Sequence, residues 1–155
     1  MTLKLHNIFF YIAIPFAIFA LSTAVFAATD LKLNPDLKYS SDSNDGPLIT
    51  GKNMKDGTIS KVKPTYVIFY HRECYNSKRQ ARRTVFLYDK YKDKVDFIVV
   101  DLDSPRSSEQ TVLLRKHYKN YIPHLTIYDK NGEAVFDKSG EVRNSQMSEL
   151  LDGLL

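Results

Sequence analysis

The chain has 155 residues, with 22 Lys and Arg against 18 Asp and Glu, four histidines and a single cysteine. A net charge of +4 is a mild bias that does not point to nucleic acid as a partner. One cysteine excludes an intramolecular disulfide framework and leaves a reactive thiol or an intermolecular link.

The N-terminus reads as an address. Lys4 precedes an uncharged apolar stretch over residues 8–21, and Ala24, Val25, Ala27 and Ala28 follow. A basic start, a short apolar centre and Val25-x-Ala27 predict a secretory signal peptide over 1–27. Residues 8–28 are also long enough to span a bilayer, so an uncleaved membrane anchor is the alternative. Cleavage would remove one lysine and no acid, leaving 21 basic and 18 acidic residues. The implied location is exported, either periplasmic or secreted, and such a compartment is oxidising. Residues 28–46 are poor in aromatic and branched apolar residues, and residues 40–47 read Ser-Ser-Asp-Ser-Asn-Asp-Gly-Pro. That composition predicts a flexible linker, with docking of Leu31, Leu33 and Leu37 as an extended arm the alternative. The folded domain is placed at 47–155, enough chain for one core.

Within it, residues 65–70 are β-branched and aromatic, which predicts a buried strand. From Cys74 to about Tyr91 there is no Gly or Pro, and Ala81, Val85, Tyr88 and Tyr91 recur at helical spacing. Lys78, Arg79, Arg82 and Arg83 crowd the first half of that helix and read as a solvated face. Residues 95–100 are a second apolar strand. Ser107 and Gln110 have capping-box spacing and open a helix to about Tyr118. Residues 124–128 and 133–136 flank an Asn131-Gly132 pair that suits a hairpin. A last helix spans about 145–154. Strand, helix, strand, helix, two strands and a helix predict an α/β fold: a mixed sheet with helices on both faces.

Cys74 is the candidate reactive group. A thiol at a helix N-terminus faces unpaired backbone N–H groups and the positive end of the helix dipole, and both favour thiolate. Arg72 and Lys78 act in the same direction, Glu73 acts against it, and Ser77 can donate a hydrogen bond to the sulfur. His71 is a possible accessory base, although an imidazole in a turn is more simply a solvated residue. His71, Cys74 and His124 are donor types for zinc or copper. Their spacing matches no ligand pattern, so neither a metal nor another cofactor is expected.

These elements resemble the thioredoxin family over residues 60–155. Val67-Ile-Phe-Tyr-x3-Cys74 resembles its central strand and active-site turn. Val99-Val-Asp-Leu-Asp103 resembles the next strand with its acidic end. Tyr121-Ile-Pro123 resembles its cis-proline segment, and Tyr128-Asp-Lys-Asn-Gly-Glu133 its hairpin. The resemblance implies a thioredoxin-like three-layer fold, Cys74 as attacking cysteine, and a cis Pro123 beside the sulfur. It also implies that Ile122 offers backbone groups to a bound peptide. Three departures matter: Ser77 replaces the second cysteine, Glu73 the usual tryptophan, and Ile68 the buried acid of the central strand.

Without a resolving thiol, a mixed disulfide on Cys74 waits for an external thiol or another substrate cysteine. The implied function is monothiol exchange or disulfide-isomerase-like activity through Cys74 and Ser77. Tyr75, Ile122 and Pro123 would contact substrate, and His124 would pack beneath the site. Partners would be protein thiols and disulfides or a small thiol such as glutathione, and a dimer linked through Cys74 is open. Membrane contact follows only if residues 8–28 stay attached. The alternative is a redox-inactive module that binds protein segments in the Pro123 groove.

Overall fold

In the computed structural model, residues 30–41, 46–51 and 56–155 are described. The signal-peptide expectation for 1–27 lies outside them. The elements are β1 (Lys32–Leu33), β2 (Ile49–Thr50), β3 (Thr65–Tyr70), α1 (Tyr75–Tyr91), β4 (Asp96–Asp101), α2 (Ser108–His117), β5 (His124–Tyr128), β6 (Ala134–Ser139) and α3 (Asn144–Leu154). Strands and helices from β3 onward start and stop within a few residues of their sequence-based positions.

All six residues of β3 are buried because it is an interior strand. It pairs in parallel with β4, from Thr65↔Asp96 to Tyr70↔Asp101, and antiparallel with β5. The sheet order is β4-β3-β5-β6. Alternation along β3 divides its side chains between two cores. Tyr66, Ile68 and Tyr70 pack with Ala81, Leu87 and Tyr88 of α1 and Met147 and Leu151 of α3. Val67 and Phe69 face the other way, toward Leu113 of α2. Helices therefore cover both faces of a mixed sheet, giving the three layers that the element order predicts.

Over the described residues 30–41, the docked-arm alternative replaces the flexible linker. Residues 32–33 pair with 49–50 as a small antiparallel sheet. Leu31 and Leu37 are buried in the α1-side core, and Leu33 packs against it. Spaced leucines in a polar segment find an apolar surface when one is within reach, and their burial offsets the entropy of ordering the chain. The packed unit thus includes residues 30–41 and does not begin at 47.

The parallel β3–β4 pair also positions the site. Both strands end on the same edge, so the turn after Tyr70 and the segment after Asp101 lie side by side. In α/β sheets the carboxyl ends of strands are where ligands bind.

Candidate functional site

The chain leaves β3 at Tyr70, turns through His71, Arg72 and Glu73, and enters α1 with Cys74 as N-cap. Cys74 has extended backbone angles (φ −73°, ψ 119°) and makes no side-chain capping bond, and the first turn of α1 carries no acid. Its carbonyl accepts the Lys78 N–H at 3.0 Å, the first bond of the helix. The thiol is half-buried and unpaired. It sits in the wall of an open cavity of about 800 Å³, with His71, Glu73, Tyr75, Asp103 and Ile122 among its neighbours there. The unpaired N–H groups of the first helical turn and the helix dipole favour negative charge at this point.

A hydrogen-bond network from the end of β4 braces the turn. Asp103 Oδ1 lies 2.9 Å from His71 Nδ1, and Asp103 Oδ2 accepts the Arg72 backbone N–H at 2.7 Å. The Arg72 side chain is drawn to Asp101, with Nε donating to Oδ2 at 2.8 Å, and it also donates to Ser104 Oγ. Partial burial works against ionisation of Asp103. The Arg72 backbone N–H, the His71 hydrogen bond and the nearby positive charge outweigh it and hold that carboxyl below its usual range. Because a carboxylate only accepts, His71 Nδ1 is the donor, and in the neutral ring Nε2 keeps its lone pair. Nε2 has no hydrogen-bond partner among the described residues.

The structure brings together Cys74, Tyr75, Ile122 and His71. Tyr75 is 40% exposed and lies under the Arg79 guanidinium, 4.8 Å from ring centroid to Cζ. The Ile122–Pro123 peptide bond is cis. Ile122 lines the cavity. Pro123 is buried, and its carbonyl accepts the Gly140 N–H at 2.7 Å.

Other expectations are corrected. Ser77 does not hydrogen-bond the sulfur: its Oγ is buried and has no partner among the described residues. Helical spacing places it with Ala81 and Thr84 on the buried face of α1. His124 does not reach the cavity either. Strand alternation turns its ring to the α2 side, 5.7 Å from the Phe69 ring, with Nδ1 2.8 Å from Ser139 Oγ. Of the three donor-type residues, His71 and Cys74 line the cavity and His124 does not. Nor are the helix cations one solvated face beside the thiol. Lys78 is fully buried, with Nζ donating to the carbonyls of Lys38 at 3.3 Å and Ser41 at 2.6 Å. Arg79 and Arg83 both pair with Glu141.

Sequence reasoning read Asp103 only as the acidic end of a strand and missed it as the partner of His71. The signal was available: a parallel pairing of residues 65–70 with 96–101 sets the residues after Tyr70 beside those after Asp101.

No family model matches the chain, and no curated protein matches it. Solved structures do. Thioredoxin-2 of the malaria parasite, a component of its protein secretion machinery, superposes with a TM-score of 0.51 at 20% identity, over 59% of this chain and 82% of that one. A further malarial protein gives 0.50 at 19% identity, over 60% and 98%. Mitochondrial thioredoxin 3 of Saccharomyces cerevisiae gives 0.49 at 18% identity, over 62% and 83%. At these identities the likeness establishes the fold, which is thioredoxin-like α/β.

Proposed function

From a thioredoxin-like fold with one thiol at the opening of its first helix, we propose that the protein carries out monothiol exchange with disulfide-bearing polypeptides. The observation that carries this reading is the half-buried Cys74 at the uncapped start of α1, in the wall of an open cavity. A thiolate there attacks a disulfide to give a mixed disulfide. Ser77 supplies no second sulfur, so release falls to an external thiol or to another cysteine of the substrate. The latter route is isomerisation. The exposed Tyr75 and the cavity-lining Ile122 favour a polypeptide over a small thiol, because they offer aromatic and apolar area in the cavity wall. The signal-like residues 1–27 support an exported, oxidising setting, where disulfide-bearing proteins are the available partners.

The test is direct. Protein without residues 1–27 is incubated with a disulfide-bearing peptide, and adducts are read by intact mass. We expect one peptide on Cys74, released by added thiol, and faster recovery of a scrambled disulfide protein. Cys74→Ala should abolish both.

A second reading draws on Ile68, which is fully buried where the family has its acid, and on the buried, unpartnered Ser77. Neither helps a second proton transfer. A protein that forms no adduct yet binds the peptide would be a recognition module using the surface around Ile122 and Tyr75.

A further inference from the structure

Exchange at a single thiol has a proton problem at both ends. The attacking thiol must lose a proton, and the departing sulfur gains one. Two cations that might ease the first step are turned elsewhere: Lys78 to the carbonyls of Lys38 and Ser41, and Arg72 to Asp101 and Ser104. The central strand offers Ile68 where an acid would otherwise move protons. What the cavity does hold is His71, three residues before Cys74, with Nδ1 fixed on Asp103 and Nε2 unbonded among the described residues. An imidazole exchanges protons near neutrality, and a carboxylate on Nδ1 fixes which nitrogen does it.

We propose that His71, oriented by Asp103, carries the proton between the Cys74 thiol and the departing sulfur of the substrate disulfide; this rests on the exchange reading above. His71 Nε2 first takes the proton of the Cys74 thiol, leaving the thiolate that attacks and forms the Cys74 S–S bond. As the substrate S–S bond breaks, the imidazolium hands that proton to the leaving sulfur. Cys74–SH and R–S–S–R′ become Cys74–S–S–R and R′–SH, with Cys74 oxidised and one substrate sulfur reduced. An external thiol reverses the sequence, and His71 returns the proton to Cys74. Asp103 touches no reacting atom and is a positioning residue. Its second oxygen holds the Arg72 N–H, so the same carboxylate also fixes the turn that presents the ring.

A proton donor matters most when the leaving sulfur is basic, and that sets the experiment. Wild type, His71→Gln, Asp103→Asn and Asp103→Glu are assayed against two disulfides, one releasing an acidic aromatic thiol and one a basic aliphatic thiol. His71→Gln should slow exchange with the aliphatic disulfide about 30-fold, below the ~10²–10⁴ typical of full proton transfer because a thiolate can leave partly unprotonated. On the aromatic disulfide the loss should be about threefold at most. Asp103→Asn should change the leaving-group dependence in the same sense, and Asp103→Glu should recover most of it. Matching melting curves and near-ultraviolet spectra establish that the variants fold. If His71→Gln slows both substrates equally, or neither, while wild type exchanges with both, His71 is not the proton carrier and the exchange reading stands. If wild type exchanges with neither and forms no Cys74 adduct, the exchange reading falls and this inference with it.

Discussion

His124 follows the cis bond in sequence but serves the opposite face of the sheet. Its ring lies 2.6 Å through Nε2 from Asp137 Oδ1, without the geometry of a hydrogen bond, while Nδ1 meets Ser139. Asp137 Oδ2 is 3.0 Å from His117 Nδ1, and the other His117 nitrogen bonds the Tyr128 hydroxyl. One carboxylate on the edge strand β6 thus faces two buried imidazoles, with the Lys119 charge also within reach. Burial pushes His124 below its ordinary 6.5, against the opposing pull of Asp137. Burial also works against ionisation of Asp137, but His117 and His124 outweigh it and hold the carboxyl below 3.8. The signs agree. A histidine depressed in the folded state contributes stability above about 6.5 that is lost as pH falls through its folded value. A depressed carboxylate contributes stability above 3.8 that is lost at lower pH. The melting temperature should therefore fall between pH 7.5 and 5, and further below 4. His124→Gln should flatten the first decline and keep most of the second, because His117 still faces Asp137. An unchanged slope between pH 7.5 and 5 in that variant would remove His124 from the account.

Two helices of similar role begin in different ways. α2 opens with a complete capping box: Ser107 Oγ accepts the Gln110 N–H at 3.0 Å, and Gln110 Oε1 accepts the Ser107 N–H at 3.3 Å. α1 opens on Cys74, whose extended backbone is suited to a cap but whose side chain makes no capping bond. A sulfur is a poor acceptor, so the first N–H groups of α1 are left to substrate or water. A hydroxyl at the same position would satisfy one of them. Cys74→Ser should stabilise the protein by about 0.5–1 kcal/mol, the usual scale for gaining a cap, while abolishing adduct formation. Thermal melts would show a rise of a few degrees at neutral pH. A fall would mean that packing of the sulfur outweighs the missing cap. Cys74 would then hold its helix end at no cost in stability.

At the scale of the molecule, what could be read from the sequence was what short-range chemistry encodes. The alternation in β3, the Ser107 cap and the hairpin at Gly132, whose φ of +82° suits glycine, all declare themselves within a few residues. The place of Cys74 at the opening of α1 was legible for the same reason. Ser77, Lys78 and Asp103 were not, because each takes its role from a partner or a packing surface far away in sequence. Lysine is almost never fully buried, and nothing near Lys78 announces that its ammonium will be held by Lys38 and Ser41, 40 and 37 residues earlier. That contact ties residues 30–41 to the helix that carries the thiol. The rest of the attachment is part apolar, part polar, and close: Leu31 and Leu37 are buried, Tyr88 donates to Asp30 at 3.0 Å, and a Cβ at Gly51 would fall 2.7 Å from the Asp30 carbonyl oxygen. The arm is thus part of the core, and its removal is a stronger perturbation than loss of a linker. Burial of the two leucines alone is worth about 3–6 kcal/mol, a large share of the stability of a domain this size. A chain starting at residue 47 should melt far below one starting at 28, or fail to fold. Lys78→Met keeps the apolar stem and loses a charge-assisted clamp worth about 1.5–3 kcal/mol. It should leave the sheet protected in hydrogen exchange while residues 30–41 exchange faster. Equal melting temperatures for the two chain lengths would show that the arm packs on a core complete without it.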